Sequence, residues 1–91
     1  MKNEYYALIT VELSSKDEDR RNCFNKLLEQ WYYVKIRDIS TTWQVKIKAN
    51  SQAAAYRAIE HNLLSAKERC ELSVLNYSCQ LSKEKVITKS L

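Results

Sequence analysis

The chain contains no glycine and no proline among its 91 residues. Average usage would place about ten or eleven of these two residues in a chain of this length. Phosphate-binding loops and dinucleotide-binding fingerprints both need glycine where a side chain would block the ligand. Both kinds of site are therefore excluded, and every turn must be built from residues that carry a side chain.

Cysteine is scarce, and long apolar runs are absent. The three cysteines, Cys23, Cys70 and Cys79, are odd in number and show no C-x-x-C spacing, which argues against a disulfide framework and against a zinc site. We therefore expect buried reduced thiols, no metal and no other cofactor. No apolar run reaches about 18 residues, and no signal-peptide pattern is found. These features predict a cytoplasmic protein that does not associate with membranes.

The chain does contain a regular succession of extended and helical patterns. Apolar side chains alternate along residues 5–13 and recur at three- and four-residue spacing along residues 16–31, which indicates a strand followed by a helix. Ser15 and Glu18 form a predicted capping box at the start of that helix. Two further alternating segments, joined by a polar turn near residues 38–41, predict a hairpin.

A second helix and a last strand complete the predicted domain over residues 1–82. The helix covers residues 52–69 and is capped by Asn50 or Ser51, both of which are good N-cap residues. In the extended stretch that follows, the apolar phase shifts midway, which indicates a bulge or a strand covered on both faces. Residues 83–91 carry four charges and form a predicted tail or short fifth strand.

The predicted order of strand, helix, strand, strand, helix and strand indicates an α+β protein with the ferredoxin-like fold. That fold has a four-stranded antiparallel sheet with both helices on one face, and its third strand pairs with the first and the second. Alternation then turns one set of side chains toward the helices. This set consists of Ile9, Val11, Val34, Ile36, Val45 and Ile47.

Basic residues are concentrated on the predicted hairpin. Residues 33–58 contain five cations and one anion, and the remaining cations and anions cancel, so this segment carries the whole formal excess of +4. The bare face of the sheet is predicted to carry Lys35, Arg37, Lys46, Lys48, Tyr6 and Tyr33. Such a surface suits the phosphates of RNA or DNA, with tyrosines able to stack a base. The alternative is a solvated edge hairpin whose lysines discourage aggregation.

Two other interpretations remain open. The protein could be an interaction or inhibitory subunit that docks an acidic partner, or a homodimer formed through Tyr6, Leu8, Leu75 and Tyr77 on the bare face. It could also be a regulatory small-ligand module, although the lack of glycine turns hinders the approach of a ligand to the backbone. No residue is predicted to be catalytic, because His61 is the only histidine.

The opening strand YYALITVE at residues 5–12, followed by two serines and a helix, resembles the GhoS-type antitoxins and the related CRISPR-associated small endoribonucleases. The resemblance covers most of the chain and rests on pattern, not on a diagnostic motif. It implies a ferredoxin-like protomer that dimerises and handles or cleaves RNA in the cytoplasm. The CRISPR-associated enzymes carry an aspartate near the end of the first strand, where this chain has Thr10, Glu12 and Ser14. A metal there would need Glu12 from both protomers of a dimer.

Overall fold

The computed structural model describes residues 2–13, 17–36, 41–89 and 91. Strands and helices follow in the predicted order: β1 (Asn3–Leu13), α1 (Glu18–Gln30), β2 (Val34–Lys35), β3 (Thr42–Ala49), α2 (Gln52–Arg69) and β4 (Leu75–Ser82). The strands form one antiparallel sheet in the order β2-β3-β1-β4. The protein is therefore α+β with an open four-stranded sheet.

The centre of the sheet is the long pair formed by β1 and β3. Their register places Ala7 beside Val45 and Ile9 beside Trp43, and all four side chains are buried. The helices add Phe24, Leu28, Ile59 and Leu63 to the same apolar cluster. Because successive side chains of a strand point to opposite faces, this single cluster means that both helices cover the same face of the sheet.

The opposite face of the sheet is covered by no helix among the described residues. It is formed by the side chains that alternate with the core positions: Glu4, Tyr6, Leu8, Thr10 and Glu12 on β1, Val34 on β2, Thr42, Gln44, Lys46 and Lys48 on β3, and Asn76, Ser78, Gln80 and Ser82 on β4. We call this surface the open face.

Each helix begins at a side-chain cap. A carboxylate oxygen of Asp17 accepts two backbone N–H groups of α1, at 2.9 and 3.4 Å, and the hydroxyl of Ser51 accepts one from α2 at 3.1 Å. Ser51 is one of the two caps predicted for α2. The N-cap of α1 is Asp17, and Glu18 is the first helical residue. Glu18 therefore does not stand at the third position after the N-cap, where a capping box needs it. The predicted serine, Ser15, lies outside the described residues.

Both helices end in the same left-handed turn, although the chain has no glycine. Tyr32 after α1 has φ 70°, and Glu71 after α2 has φ 55°. The N–H of each donates to the carbonyl three residues earlier, and the N–H of the next residue, Tyr33 or Leu72, donates to the carbonyl five residues earlier. This pair of bonds is the Schellman motif, which usually employs glycine because a Cβ crowds the following carbonyl. Each turn directs the next residue into the core, where Tyr33 and Leu72 are buried.

The turn after α1 reverses the predicted phase of β2. Tyr33 is only 2% exposed, whereas Val34 is 55% exposed on the open face. Lys35 pairs with Trp43 and therefore lies on the helix-covered face, with its Nζ 5.3 Å from the centre of the Trp43 ring. The predicted orientations of Tyr33, Val34 and Lys35 are wrong, because the turn anchors Tyr33 in the core before alternation begins. Ile36 is buried but lies outside the main apolar cluster.

The phase shift before β4 has the same origin. Leu72 is buried directly after the turn at Glu71, but β4 begins only at Leu75. The strand then pairs with β1 in an unbroken register of eight residue pairs. Neither a bulge nor a strand covered on both faces is present, and both predicted explanations are wrong. Residues 83–89 form no fifth strand.

A disulfide joins Cys23 of α1 to Cys70 at the end of α2, with the Cα atoms 5.7 Å apart. The prediction of reduced thiols is therefore wrong for these two residues, while Cys79 is free. An odd number of cysteines does not exclude one disulfide. Which cysteines pair depends on how the two helices pack, and the spacing of the cysteines in the sequence does not show that packing. Disulfides persist mainly in oxidising environments, so this bridge counts against the predicted cytoplasmic location, which stays a prediction.

Reduction of the Cys23–Cys70 bridge is expected to lower the free energy of unfolding by about 2–4 kcal/mol, because the bridge restricts a long loop of the unfolded chain. Urea unfolding followed by tryptophan fluorescence, with and without dithiothreitol, measures the change. Cys79→Ser should respond to the reductant like the wild type, and Cys23→Ser should not respond. An equal response in Cys23→Ser would contradict the assigned bridge.

Glu71→Gly is expected to raise the free energy of unfolding by about 0.5–1 kcal/mol, because glycine adopts a positive φ without the contact between Cβ and the backbone. The urea midpoint measures this gain. Ala58→Gly is the matched control: it lies at an exposed position inside α2 and should lose about 1 kcal/mol. A loss of stability in both variants would contradict the left-handed conformation of Glu71.

Candidate nucleic-acid interface on the open face

Two of the predicted cations, Lys46 and Lys48, project from β3 on the open face and are exposed. The register of the sheet sets Lys46 opposite Tyr6 and Lys48 opposite Glu4. The Nζ of Lys48 lies 3.9 Å from Oε1 of Glu4, in a solvent-exposed ion pair of the kind that contributes little to stability. Arg37 lies outside the described residues. The basic part of the open face is therefore centred on Lys46.

A shallow groove of about 230 Å³ opens beside Tyr6 and Lys46. Its other lining residues are Tyr32, Val34, Gln44, Val45 and Val86. Val86 comes from the segment after β4, so this residue lies beside the open face next to β1 and β3. The groove combines an apolar wall with a cation, which suits a flat apolar group that carries negative charge on one side.

The middle of the open face is uncharged. Leu8 is 38% exposed, and hydroxyl and amide side chains surround it on the neighbouring strands. Thr10 and Thr42 approach each other with their hydroxyl oxygens 3.5 Å apart, while Ser78 and Gln80 lie on β4 on the other side of β1. Thr42 is buried, whereas Thr10, Ser78 and Gln80 are exposed. These three side chains donate and accept hydrogen bonds without charge, so they can contact base edges or a protein surface.

Tyr33 belongs to the core and not to a binding surface. Its hydroxyl accepts a hydrogen bond from Nδ2 of Asn62 on α2 at 2.9 Å. Burial raises the pKa of Tyr33 above its usual value, and this effect outweighs the opposing effect of the Asn62 bond. Tyr33 therefore offers no ring for stacking, and Lys35 lies on the other side of the sheet. The predicted row of four cations and two tyrosines is not one surface.

The residues predicted to form a dimer interface also lie on different faces. Leu8 is on the open face, whereas Leu75 and Tyr77 pair with Leu13 and Val11 on the helix-covered face. Leu75 packs partly buried against the core. The prediction of one interface through the open face is therefore wrong, because the alternation of β4 starts at Leu75 and places every second residue beneath α2.

A second groove, missed by the sequence analysis, lies on the helix-covered side of the sheet. It has a volume of about 270 Å³, and its lining residues include Arg21, Phe24, Asn25, Lys35 and Trp43. No group of three or more histidine, cysteine, aspartate or glutamate side chains that could hold a metal occurs among the described residues. Glu12 and His61 are exposed.

Three residues of the open-face groove are not predicted by the sequence pattern. The sequence pattern assigns Tyr32 to no surface, predicts that Val34 faces the helices, and places Val86 in a tail or a short fifth strand. A usable signal exists for Tyr32: an aromatic residue directly after a helix in a chain without glycine is a candidate for the left-handed position, where its side chain stays exposed. No comparable local pattern exists for Val86.

Comparison of the chain with models of protein families, with curated proteins and with solved structures found no match. Within the described ranges, no helix is long and apolar enough to span a membrane. The case for a function therefore depends on the surfaces described above.

Raising the pH above 10 is expected to destabilise the protein through Tyr33. Burial holds the pKa of Tyr33 above the usual 10.0 in the folded state, so the unfolded state loses its proton first. The stability that the protonated Tyr33 contributes is complete below the pKa that Tyr33 has in the unfolded state. It is lost as the pH rises through the pKa that Tyr33 has in the folded state. Urea midpoints measured between about pH 8 and 11 should therefore fall less steeply in Tyr33→Phe than in the wild type.

Tyr32→Phe is the matched control, because Tyr32 is 86% exposed. It should keep the slope of the wild type. Burial also raises the pKa of Tyr77 and of Cys79, but these groups stay unchanged in both variants. Equal slopes in Tyr33→Phe and in the wild type would contradict the buried position of the hydroxyl.

Proposed function

We propose that the protein binds single-stranded RNA or DNA across its open face. The observation that carries this proposal is the direct pairing of Tyr6 with Lys46 on a face that no described helix covers. Paired side chains of neighbouring strands have Cβ atoms about 5 Å apart. An aromatic ring and a cation at that spacing can contact a base and its neighbouring phosphate at once.

The groove beside this pair supports a single strand over a duplex. Tyr6 is half-buried and lines the groove. A base must leave its stack to reach such a site, which costs least in a single strand. Exposed Val34 and Tyr32 extend the apolar wall on which a second base could pack.

The distribution of charge supports the same end of the sheet. Ser82, the last residue of β4, pairs with Tyr6 of β1. Lys83 follows it directly, and Lys85 comes two residues after Lys83. Glu12 lies at the far end of β1, whereas Glu4 lies at the same end as Tyr6 and pairs with Lys48, and Glu84 stands between Lys83 and Lys85. A backbone that crosses the sheet near Tyr6 therefore meets lysines on both sides, and binding should weaken with salt as counterions are released.

The ferredoxin-like fold and the resemblance to the GhoS-type antitoxins and CRISPR-associated endoribonucleases are part of this proposal. Its support is the order of elements, the position of β3 between β1 and β2, and the packing of both helices on one face. RNA is the ligand that the resemblance implies. A cytoplasmic location goes with it, and the disulfide counts against that location. We assign no catalytic residue.

One observation favours a second function, the docking of a protein partner. Leu8 and Val34 are exposed apolar residues on neighbouring parts of the open face. The charges of this face balance, because Glu4 and Glu12 oppose Lys46 and Lys48. An accessory or inhibitory subunit could use the apolar middle as its contact, with the polar groups around it as a rim.

Lys46→Glu is expected to weaken the binding of a fluorescent single strand of about 12 nucleotides by about tenfold, because a phosphate contact is replaced by repulsion. Tyr6→Leu should weaken binding by about fivefold or more, since stacking on an aromatic ring contributes about 1–3 kcal/mol. Fluorescence anisotropy at two salt concentrations, with RNA, DNA and duplex probes, measures these effects.

Lys35→Glu is the matched control, because it makes the same change of charge on the opposite side of the sheet. It should change the affinity by less than about threefold, since screening weakens its field at the open face. Equal effects of Lys35→Glu and Lys46→Glu would show that binding depends on net charge alone. Absence of salt-dependent binding to any probe would refute the proposal and leave the protein partner as the better candidate.

A further inference from the structure

Strand β4 is an edge of the sheet, and it has none of the usual protections of an edge. Natural edge strands are guarded by charged side chains, proline, bulges or short length. The eight residues of β4, LNYSCQLS, include no charge and no proline, and their register with β1 is unbroken. The other edge, β2, has two residues, and one of them is Lys35.

The outer side of β4 has no strand partner within the described ranges. The hydrogen bonds of an antiparallel strand point alternately to its two sides. The inner side of β4 pairs with β1, and the sheet contains no strand beyond β4 in those ranges. A row of backbone N–H and C=O groups is therefore available for another strand.

Helix α2 lies beside this edge and adds side chains to it. Glu60, Leu64 and Lys67 of α2 line a shallow groove of about 170 Å³ together with Leu75 and Tyr77 of β4. Leu64 is 50% exposed, and Tyr77 is also exposed. The groove thus has an apolar centre with an acid toward one end of the helix and a base toward the other.

The charges on this part of α2 are complementary to those of an antiparallel copy. Glu60 and Lys67 are about 10 Å apart along the helix, and neither forms an ion pair with another described residue. A two-fold axis perpendicular to the sheet makes β4 and α2 antiparallel to their copies. With the axis near Leu64, Glu60 of each copy faces the partner's Lys67, so two pairs of opposite charges flank an apolar contact.

We propose that the β4 edge and the adjoining side of α2 bind a second copy of this chain and join the two sheets into one. The uncharged side chains of β4 allow this pairing without opposing like charges across the seam. The self-complementary order of Glu60, Leu64 and Lys67 identifies the occupant, because an unrelated strand would have no requirement for it. The two open faces then lie on the same side of the dimer. The proposal does not depend on nucleic-acid binding.

Exchange of the two charges tests the interface. Sedimentation velocity over about 5–500 μM, in a Cys79→Ser background that excludes a disulfide between copies, should show a concentration-dependent dimer. Glu60→Lys and Lys67→Glu should each weaken the dimer by about tenfold or more, because each creates two repulsive pairs. The double variant Glu60→Lys/Lys67→Glu should recover the affinity of the parent, which a mere loss of fold could not do.

A charge on the edge strand gives a second test. Ser78→Lys places a cation at the seam beside Tyr77 and should shift the protein to the monomer, whereas Thr10→Lys, at the position of β1 that pairs with Ser78, should leave the dimer intact. Circular dichroism establishes that each variant is folded. A protein that stays monomeric at the highest concentration would overturn the proposal, as would a dimer whose affinity is unchanged by the charge exchange and by Ser78→Lys. Lys46→Glu should dimerise normally, so failure of nucleic-acid binding is measured separately.

Discussion

The arrangement of this protein depends on two left-handed turns that are made without glycine. A residue with a Cβ pays roughly 1–2 kcal/mol to adopt this conformation, and here the cost is offset by the two backbone bonds of each turn and by burial of the next residue. The turns at Tyr32 and Glu71 decide where the chain returns to the sheet after each helix. They therefore decide which side chains of β2 and β4 face the core.

Alternation in the sequence was sufficient for the long strands and insufficient for the short one. β1 and β3 pair over eight residue pairs, so their apolar set can be buried in only one way, and the predicted inward positions of Ile9 and Val45 are confirmed. β2 has two residues, which is too few for alternation to set its phase. The anchored ring of Tyr33 sets it instead, and Lys35 is carried to the helix-covered face.

In the candidate site, too, the residues on long strands could be predicted and those on short or irregular segments could not. Tyr6, Lys46 and Lys48 could be assigned to the open face because they lie on the two central strands. The groove beside them could not be predicted, since Tyr32, Val34 and Val86, which line it, come from a turn, a two-residue strand and the segment after β4. The β4 edge was also hidden from the sequence analysis, because a strand becomes an edge only through the order of its neighbours.

The Cys23–Cys70 disulfide divides the chain into a closed ring and two free arms. The ring spans 47 positions and holds β2, β3 and α2, whereas β1 and β4 lie on the arms. The two arms are neighbours in the sheet, and the start of β1 lies beside the end of β4. Tension applied to the two termini would therefore separate β1 from β4 one residue pair at a time. Because the disulfide closes the ring, about 160 Å of contour length inside it could not be extended by this tension.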